Sequence, residues 1–304
     1  MLKGVVNNLA DIRIYVATHK KTYMPEHPFL NPFQIGTALN KPLDGFLHDN
    51  SGEHISEKNK SYCELTGQYW AWKNEQADYY GFYHYRRYFS FESEKYPYMI
   101  YDYPDAATLK HMRYEPEAME QFIMQYDIIV PQAENMHETA WQNYSRAPHH
   151  YVEDLELIAN IVKQQQPDYA KAVDDYLNSS SLYLKNMYIM KHELFHQYCN
   201  WLFPILEEFD QRNNWTKYNG NSAAMRVDGY LAERLFGIWY THLKQNHSVK
   251  TCELSRVHFA AMDGGKGGLK RMKLVNYILP PGTKRRSLVS RCARYVLKKI
   301  KNKR

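Results

Sequence analysis

Residues 78–91 read DYYGFYHYRRYFSF. Tyrosines and phenylalanines dominate the first half and predict a buried strand, yet that strand runs directly into His84, Arg86 and Arg87. Adjacent guanidinium groups repel each other wherever they point, so the pattern predicts an anion just beyond the strand that neutralises them. A guanidinium presents forked donors that match phosphate oxygens and keeps its charge, which makes a diphosphate the natural partner, with His84 able to donate one more hydrogen bond. Spacing alone leaves an alternative open, in which one arginine bridges a carboxylate structurally and the other is solvated.

Outward from this stretch the pattern is α/β. Residues 11–18, DIRIYVAT, alternate and predict a first strand. The loop HKKTYMPEHPFLNP, with three prolines, follows it. In EKNKSYCELTGQYWAWKNE, residues 57–75, Tyr62, Leu65, Tyr69 and Trp72 fall on one helical face, which predicts a helix packed beside the 78–85 strand. Tyr69 and Trp72 are expected in the core rather than as ligand platforms. YDIIVP at 126–131 predicts a further strand. Strand, helix and strand alternate as in a Rossmann-like open sheet, where ligands sit beyond the carboxyl ends of the strands; both THKK at 18–21 and HYRR at 84–87 fall there. From about residue 150 three long helical patterns follow, starting near 151, 192 and 227, with SLYLKNMYIMK at 181–191 short enough to be a strand that returns to the sheet. The stretch around DGGKGGLKR is expected to be a linker.

At 304 residues, with 44% hydrophobic content, the chain has room for a substantial core. Its 27 tyrosines fit core packing, and clefts that stack flat ligands or sugars. The four cysteines, Cys63, Cys199, Cys252 and Cys292, form no CxxC pair, so neither a zinc site nor a disulfide framework is expected and a reducing cytoplasm is the default. No run of about 18 uncharged apolar residues occurs, and the first residues lack the apolar run of a signal peptide. The net charge of +6 is concentrated: residues 284–304 hold ten Lys/Arg and no acid, leaving 29 basic residues (39 less 10) against 33 acidic ones elsewhere. A basic charge confined to one tail argues against nucleic acid as the main ligand.

IYVATHK at 14–20, NKSYCELTGQYWAWKN at 59–74, YYGFYHYRRYF at 79–89, HHYVEDL at 149–155, NMYIMKHELFHQYCNWLFPIL at 186–206 and RVDGYLAERL at 226–235 together resemble a bacterial family catalogued as domain of unknown function 4422. That family is found among capsule and exopolysaccharide synthesis proteins and is grouped with nucleotide-sugar glycosyltransferases. The resemblance implies a glycosyltransferase A-type fold: one domain over 1–283, with a donor-nucleotide half to about 135 and an acceptor half over about 136–250. It implies transfer from a nucleotide-diphosphate donor, a uridine diphosphate sugar and galactofuranose among the candidates, to a capsule, exopolysaccharide or O-antigen glycan, free or lipid-linked. Most such enzymes end the strand equivalent to 79–85 in an Asp-x-Asp that holds a divalent metal. HYRR stands there instead, so no metal is expected, although Asp49 or Asp102 could reach one from a loop. The rival reading is a non-catalytic glycan-binding or scaffolding protein.

Thr18, Lys20, Asn59, Asn74, His84, Arg86 and Arg87 are assigned by the resemblance to the donor side, with Asn59 and Asn74 equally suited to capping their helix. Asn186 and Arg226 are assigned to the acceptor. Transfer with inversion needs a general base, for which His150 and Asp154, four apart and so expected on one helical face, and Asp228 and Glu233 are candidates, Asp154 and Glu233 ranking first. Structural alternatives are a helix N-terminal role for Asp154 and an ion pair of Glu233 with Arg226 or Arg234.

In the tail, Leu288, Val289, Cys292, Tyr295, Val296 and Ile300 share one helical face, with Arg291, Arg294, Lys298 and Lys299 on others. This is the pattern of an interfacial helix on anionic lipid, and it predicts a cytoplasmic protein held on the inner face of the membrane. The alternative is a helix docked on the body.

Overall fold

Side chains of the first strand, β1 (Ile12–Thr18), alternate between two cores: Ile12, Ile14 and Val16 pack into one buried cluster, Tyr15 and Ala17 into another on the opposite face. The computed structural model describes residues 10–93, 96 and 98–263, with 277–279, 285 and 289 beyond them. The expected tail helix, and all but the first residue of the expected DGGKGGLKR linker, lie outside the contiguous described residues.

The remaining strands are β2 (Leu30–Gln34), β3 (Leu47–His48), β4 (Tyr79–His84), β5 (Arg87–Ser90), β6 (Tyr98–Tyr101), β7 (Ile128–Pro131), β8 (Glu134–Asn135), β9 (Ser181–Leu182), β10 (Tyr188–Lys191) and β11 (Thr251–Phe259). Nine of them form one mixed sheet, while β8 and β9 make a separate antiparallel pair. β3, β2, β1 and β4 are successive parallel neighbours. β10 enters antiparallel between β4 and β7. β11 is shared: Thr251–Leu254 pair with β7, and Ser255–His258 pair with β5, the strand that leaves β4 through a tight turn.

Helices α1 (Asn59–Tyr62) and α2 (Leu65–Asn74) precede β4, and α3 (Ala106–His111) and α4 (Pro116–Ile123) precede β7. α5 (Ala140–Arg146), α6 (Val152–Gln165) and α7 (Ala170–Leu177) separate β8 from β9, and α8 (His192–Arg212) and α9 (Val227–Asn246) separate β10 from β11. Local chemistry starts several of them. Asp105 accepts the Thr108 N–H of α3, Pro116 opens α4, and Thr139 with Gln142 forms a capping box on α5.

The expected strands at 11–18, 78–85, 126–131 and within 181–191 all form, as do the three long helices. Three differences have physical causes. The single helix expected over 57–75 is broken at Cys63, whose φ of 52° lies in the left-handed region. β2 arises inside the proline-rich loop; Pro32 is tolerated because only Phe33 and Gln34 pair onward with β3. β11 interrupts its apolar alternation with Glu253 and Arg256, whose charge is met by the Tyr183 hydroxyl and by Glu134.

The tyrosine excess is largely core. Tyr80 stacks on Phe195 at 4.4 Å, and several buried hydroxyls find partners, as Tyr188 does on Gln68 Oε1 at 3.0 Å and Tyr114 on the Phe89 carbonyl at 2.8 Å. Trp72 and Tyr69 pack on Phe203 of α8, as expected of core rings. No helix among the described residues is long and apolar enough to cross a membrane.

Candidate functional site

β1 and β4 run in parallel with Ala17 opposite His84, so the segments that follow them emerge side by side at one end of the sheet. The chain turns there through Tyr85 and Arg86, and His84 pairs with Arg87. Tyr85 is buried and serves as a platform: the Arg86 guanidinium stands 5.2 Å and Lys20 Nζ 5.3 Å from its ring centre.

A cleft of about 960 Å³ opens at this end. One wall is the β4–β5 turn with His84, Arg86 and Arg87, joined by His19. The α1–α2 break adds Asn59, Lys60, Cys63 and Glu64. Residues 218–222 add a further wall, with Arg226 just before α9 and Gly229, Tyr230 and Glu233 on one face of that helix. Lys185, from the turn before β10, completes the floor. A small inner pocket walled by Ala17, Phe33, Ile35 and Phe82 shares Glu64, His84 and Lys185 with the cleft and adds Asn186.

Cations outnumber anions on this lining: Lys60, Arg86, Arg87, Lys185 and Arg226 against Glu64 and Glu233. Burial, and then the charges of Arg256 and Arg86, hold Arg87 below its ordinary pKa. Its buried Nε has no hydrogen-bond partner among the described residues. An anion bound here would relieve both penalties. Burial works to raise the pKa of Glu233, but Lys185, Arg234 and Arg87 outweigh it and hold that carboxyl below the usual range. Its Oε1 accepts the Lys185 backbone N–H at 3.0 Å and its Oε2 accepts Arg234 Nη1 at 3.3 Å. Glu64 is shifted the other way, upward, first by burial and then by the charge of Glu233. Arg226 donates its Nε–H to Cys63 Sγ at 3.2 Å, and burial pushes that thiol up to about 12.

Of the donor-side candidates, His84, Arg86, Arg87 and Asn59 line the cleft. Asn59 is also structural, because its Nδ2 donates to the Cys63 carbonyl at 2.7 Å and so closes the helix break. Thr18 is buried and turns the chain, its hydroxyl donating to the Lys20 carbonyl at 2.8 Å. Asn74 lies outside the lining and clamps the loop at Glu53, donating to its carbonyl at 2.8 Å. Arg226 lines the cleft, and Asn186 lies just behind it.

Among the four candidate bases, Glu233 alone lines the cleft. Asp228 and Glu233 are five residues apart, roughly 140° around the helix, so both cannot face one cavity. Asp228 turns inward onto Ser61, and burial with the charge of Asp210 pushes it up to about 8. Asp154 is buried beneath the 218–222 segment and holds Lys217, which anchors that wall. His150 does not share a helical face with Asp154, because α6 begins only at Val152. Its ring packs against Tyr144 and Tyr230, tilted to both, with centroids 4.4 and 4.2 Å away. Asp49 accepts from Gly36 N, Thr37 N, Ser56 Oγ and Thr66 Oγ1 and is fully committed to the loop it ties, while Asp102 lies outside the cleft lining.

Sequence reasoning gave no chemical role to Glu64 and passed over Lys185. Glu64 was hidden in a continuous helical stripe whose break at Cys63 leaves no residue signature. Lys185 and Asn186 both adopt positive φ, 88° and 46°; the asparagine, a residue enriched in that region, was the available signal.

The family described as Domain of unknown function (DUF4422) matches over residues 13–246. A solved structure, the WbbM bifunctional glycosyltransferase in its apo form, superposes with a TM-score of 0.79 at 30% identity, over 82% of this chain. The chain spans only 45% of that solved one. No curated protein matches the chain.

Proposed function

We propose, from the premise that this chain belongs to the DUF4422 family, that it is a glycosyltransferase taking a sugar from a nucleoside-diphosphate donor. The observation that carries the reading is the convergence of Arg86 and Arg87 with Lys185 and Arg226 on one cleft, with the buried Arg87 Nε lacking a hydrogen-bond partner among the described residues. The likeness to a bifunctional glycosyltransferase at 30% identity supports the same reaction class, and the family resemblance extends it to an A-type fold.

In this reading the diphosphate lies along the β4–β5 turn. Charge develops on it as the bond to the sugar breaks, and preorganised guanidinium groups in a partly buried cleft stabilise that charge without reorganising. A divalent cation does not suit the donor set: among the described residues no three His, Cys, Asp or Glu side chains cluster to hold one, Glu64 and Glu233 stand among Arg87, Arg226 and Lys185, and Asp49 is saturated. Charge neutralisation therefore falls to the arginines. The sugar and the acceptor occupy the side walled by residues 218–222, Tyr230 and Glu233.

The family resemblance extends the reading to a uridine diphosphate sugar, galactofuranose included, and to a capsule, exopolysaccharide or O-antigen acceptor. It also fits a protein on the inner face of the membrane, held by the basic stretch 284–304. The first test is calorimetry with a panel of nucleoside diphosphates, followed by turnover of the matching sugar donors. Binding below the millimolar range with release of nucleotide supports the reading. Glycan binding without nucleotide binding would replace it with a non-catalytic role in polysaccharide assembly.

A further inference from the structure

Two carboxylates reach the cleft, and their surroundings set them apart. Glu233 has both oxygens occupied by donors and is ringed by Lys185, Arg234 and Arg87. It is a stable anion with little affinity for a proton. Glu64 stands at the N-terminus of α2 but does not cap that helix. Its Oε1 instead accepts a hydrogen bond from Asn186 Nδ2 at 3.1 Å. It borders both the cleft and the small inner pocket, whose other walls are mostly apolar. Cys63, Arg226, Tyr230, Glu233, Asn186 and Arg87 lie around it. Burial next to a second carboxylate makes Glu64 the more basic of the two, and carboxylates driven apart in this way divide acid–base labour.

The backbone corroborates this placement. Cys63, Lys185 and Asn186 have left-handed φ values of 52°, 88° and 46°. The first breaks the helix immediately before Glu64. The other two form the turn that puts the Lys185 N–H on Glu233 and the Asn186 amide on Glu64. Non-glycine residues reach such conformations only where the surrounding structure enforces them, and they concentrate at functional sites.

We propose that Glu64 accepts the proton of the acceptor hydroxyl, and that Glu233 is a positioning anion that fixes Lys185 beside the donor diphosphate. The inference rests on the glycosyl-transfer reading above. In the step, the hydroxyl O–H bond breaks and its proton passes to the Glu64 carboxylate. The hydroxyl oxygen forms the new bond to the anomeric carbon, and the bond from that carbon to the diphosphate breaks. The electron pair leaves on the diphosphate oxygen, among Arg86, Arg87 and Lys185. A single displacement of this kind inverts the anomeric configuration.

The test uses the full chain with uridine diphosphate as the binding probe. Turnover is read as release of uridine diphosphate from a panel of its sugars, with alkyl glycosides as acceptors and water as the fallback nucleophile. Glu64→Gln is expected to lower kcat by about 10²–10⁴-fold while leaving uridine diphosphate affinity unchanged, the range typical of a lost general base. Glu233→Gln is expected to weaken that affinity. The wild-type kcat should fall at acid pH as Glu64 protonates, and Glu64→Gln should abolish this limb. Asn186→Ala removes a donor that favours the ionised form, so it should move the limb to higher pH, a readout that holds even where Glu64→Gln does not fold. Wild-type kcat in Glu64→Gln, an acid limb unmoved in Asn186→Ala, or a product with retained configuration would each overturn the assignment while leaving the transferase reading standing. A wild-type chain that neither binds uridine diphosphate nor turns over any donor would instead remove that reading, and the base with it.

Discussion

Asn186 Nδ2 lies 3.1 Å from Glu64 Oε1, although 122 residues separate them in the chain. One residue earlier, the Lys185 N–H lies 3.0 Å from Glu233. A single strained turn before β10 therefore holds both cleft carboxylates, one from the start of α2 and one from α9. The same Asn186 amide also donates to the Gly229 carbonyl at 3.2 Å, which ties the turn to α9 directly. The cleft is thus the meeting of three segments that pack against one another, and its charges are fixed by that packing.

Arg86→Ala and Arg87→Ala should each weaken nucleoside-diphosphate binding by about 1.5–3 kcal/mol, the worth of a hydrogen bond to a charged group. Neither side chain belongs to the apolar core, so far-ultraviolet circular dichroism and thermal unfolding should stay near wild type. Calorimetry on the three proteins decides; equal affinities would remove the diphosphate from the β4–β5 turn.

The pH dependence of stability should carry the mark of His150. Burial, and next the charge of Arg234, push its pKa down to about 4, whereas in the unfolded chain it titrates near the ordinary histidine value of 6.5. Between these values the unfolded chain binds a proton that the folded one refuses, so this contribution to stability is complete above about pH 6.5 and is lost as pH falls toward 4. His150→Phe keeps a ring between Tyr144 and Tyr230 and removes the titration. Urea unfolding at pH 7 and pH 5 should show wild type losing more stability than the variant. Parallel losses would mean that His150 is solvated.

A Cβ on Gly229 would lie 3.1 Å from Cys63 Sγ and 3.2 Å from Cys63 Cβ. For Gly229→Ala the helix-propensity gain of about 1 kcal/mol offsets much of that crowding. Gly229→Val adds two methyl groups in the same gap and should cost about 1–3 kcal/mol, the usual range for overpacking. It should also weaken nucleotide binding, since it displaces the helix break that presents Glu64. A valine variant with unchanged denaturation midpoint and affinity would show that α9 and the break are not closely coupled.

Residues 284–304 should bind vesicles containing anionic lipid and leave them as salt rises, because exposed charges are screened within about 8–10 Å at physiological ionic strength. Deleting them should release the protein from membranes and spare nucleotide binding, whose cleft lies wholly within residues 19–233. Aggregation or a markedly lower melting temperature of the truncated chain would assign the segment to the packed body instead.

Much of the architecture was legible because it follows from local periodicity. The alternation in 12–18 puts β1 between two cores, and the 3.6-residue stripe of 192–212 and 227–246 fixes α8 and α9 almost to their ends. Strands whose pattern depends on distant partners were hidden. β11 reads as polar at Glu253 and Arg256 until Tyr183 and Glu134 are placed against them. Candidate bases fared the same way. Aspartates and glutamates at helical spacing look equivalent in a string, and which of them faces a cavity depends on the rotation of each helix against its neighbours.

The sequence by itself determined the layered α/β class, the long helices, and the placement of HYRR at the carboxyl end of a strand, because hydrophobic period and strand polarity are properties of neighbouring residues. Only the tertiary structure decided which ionisable groups meet that segment. Glu64 reaches the cleft because the chain takes a left-handed step at Cys63, Lys185 because of a second left-handed step, and Asp154 and Asp228 are withdrawn because they are buried against Lys217 and Ser61. Such choices are made by burial, helix rotation and close approach between segments more than a hundred residues apart, and no local pattern carries them.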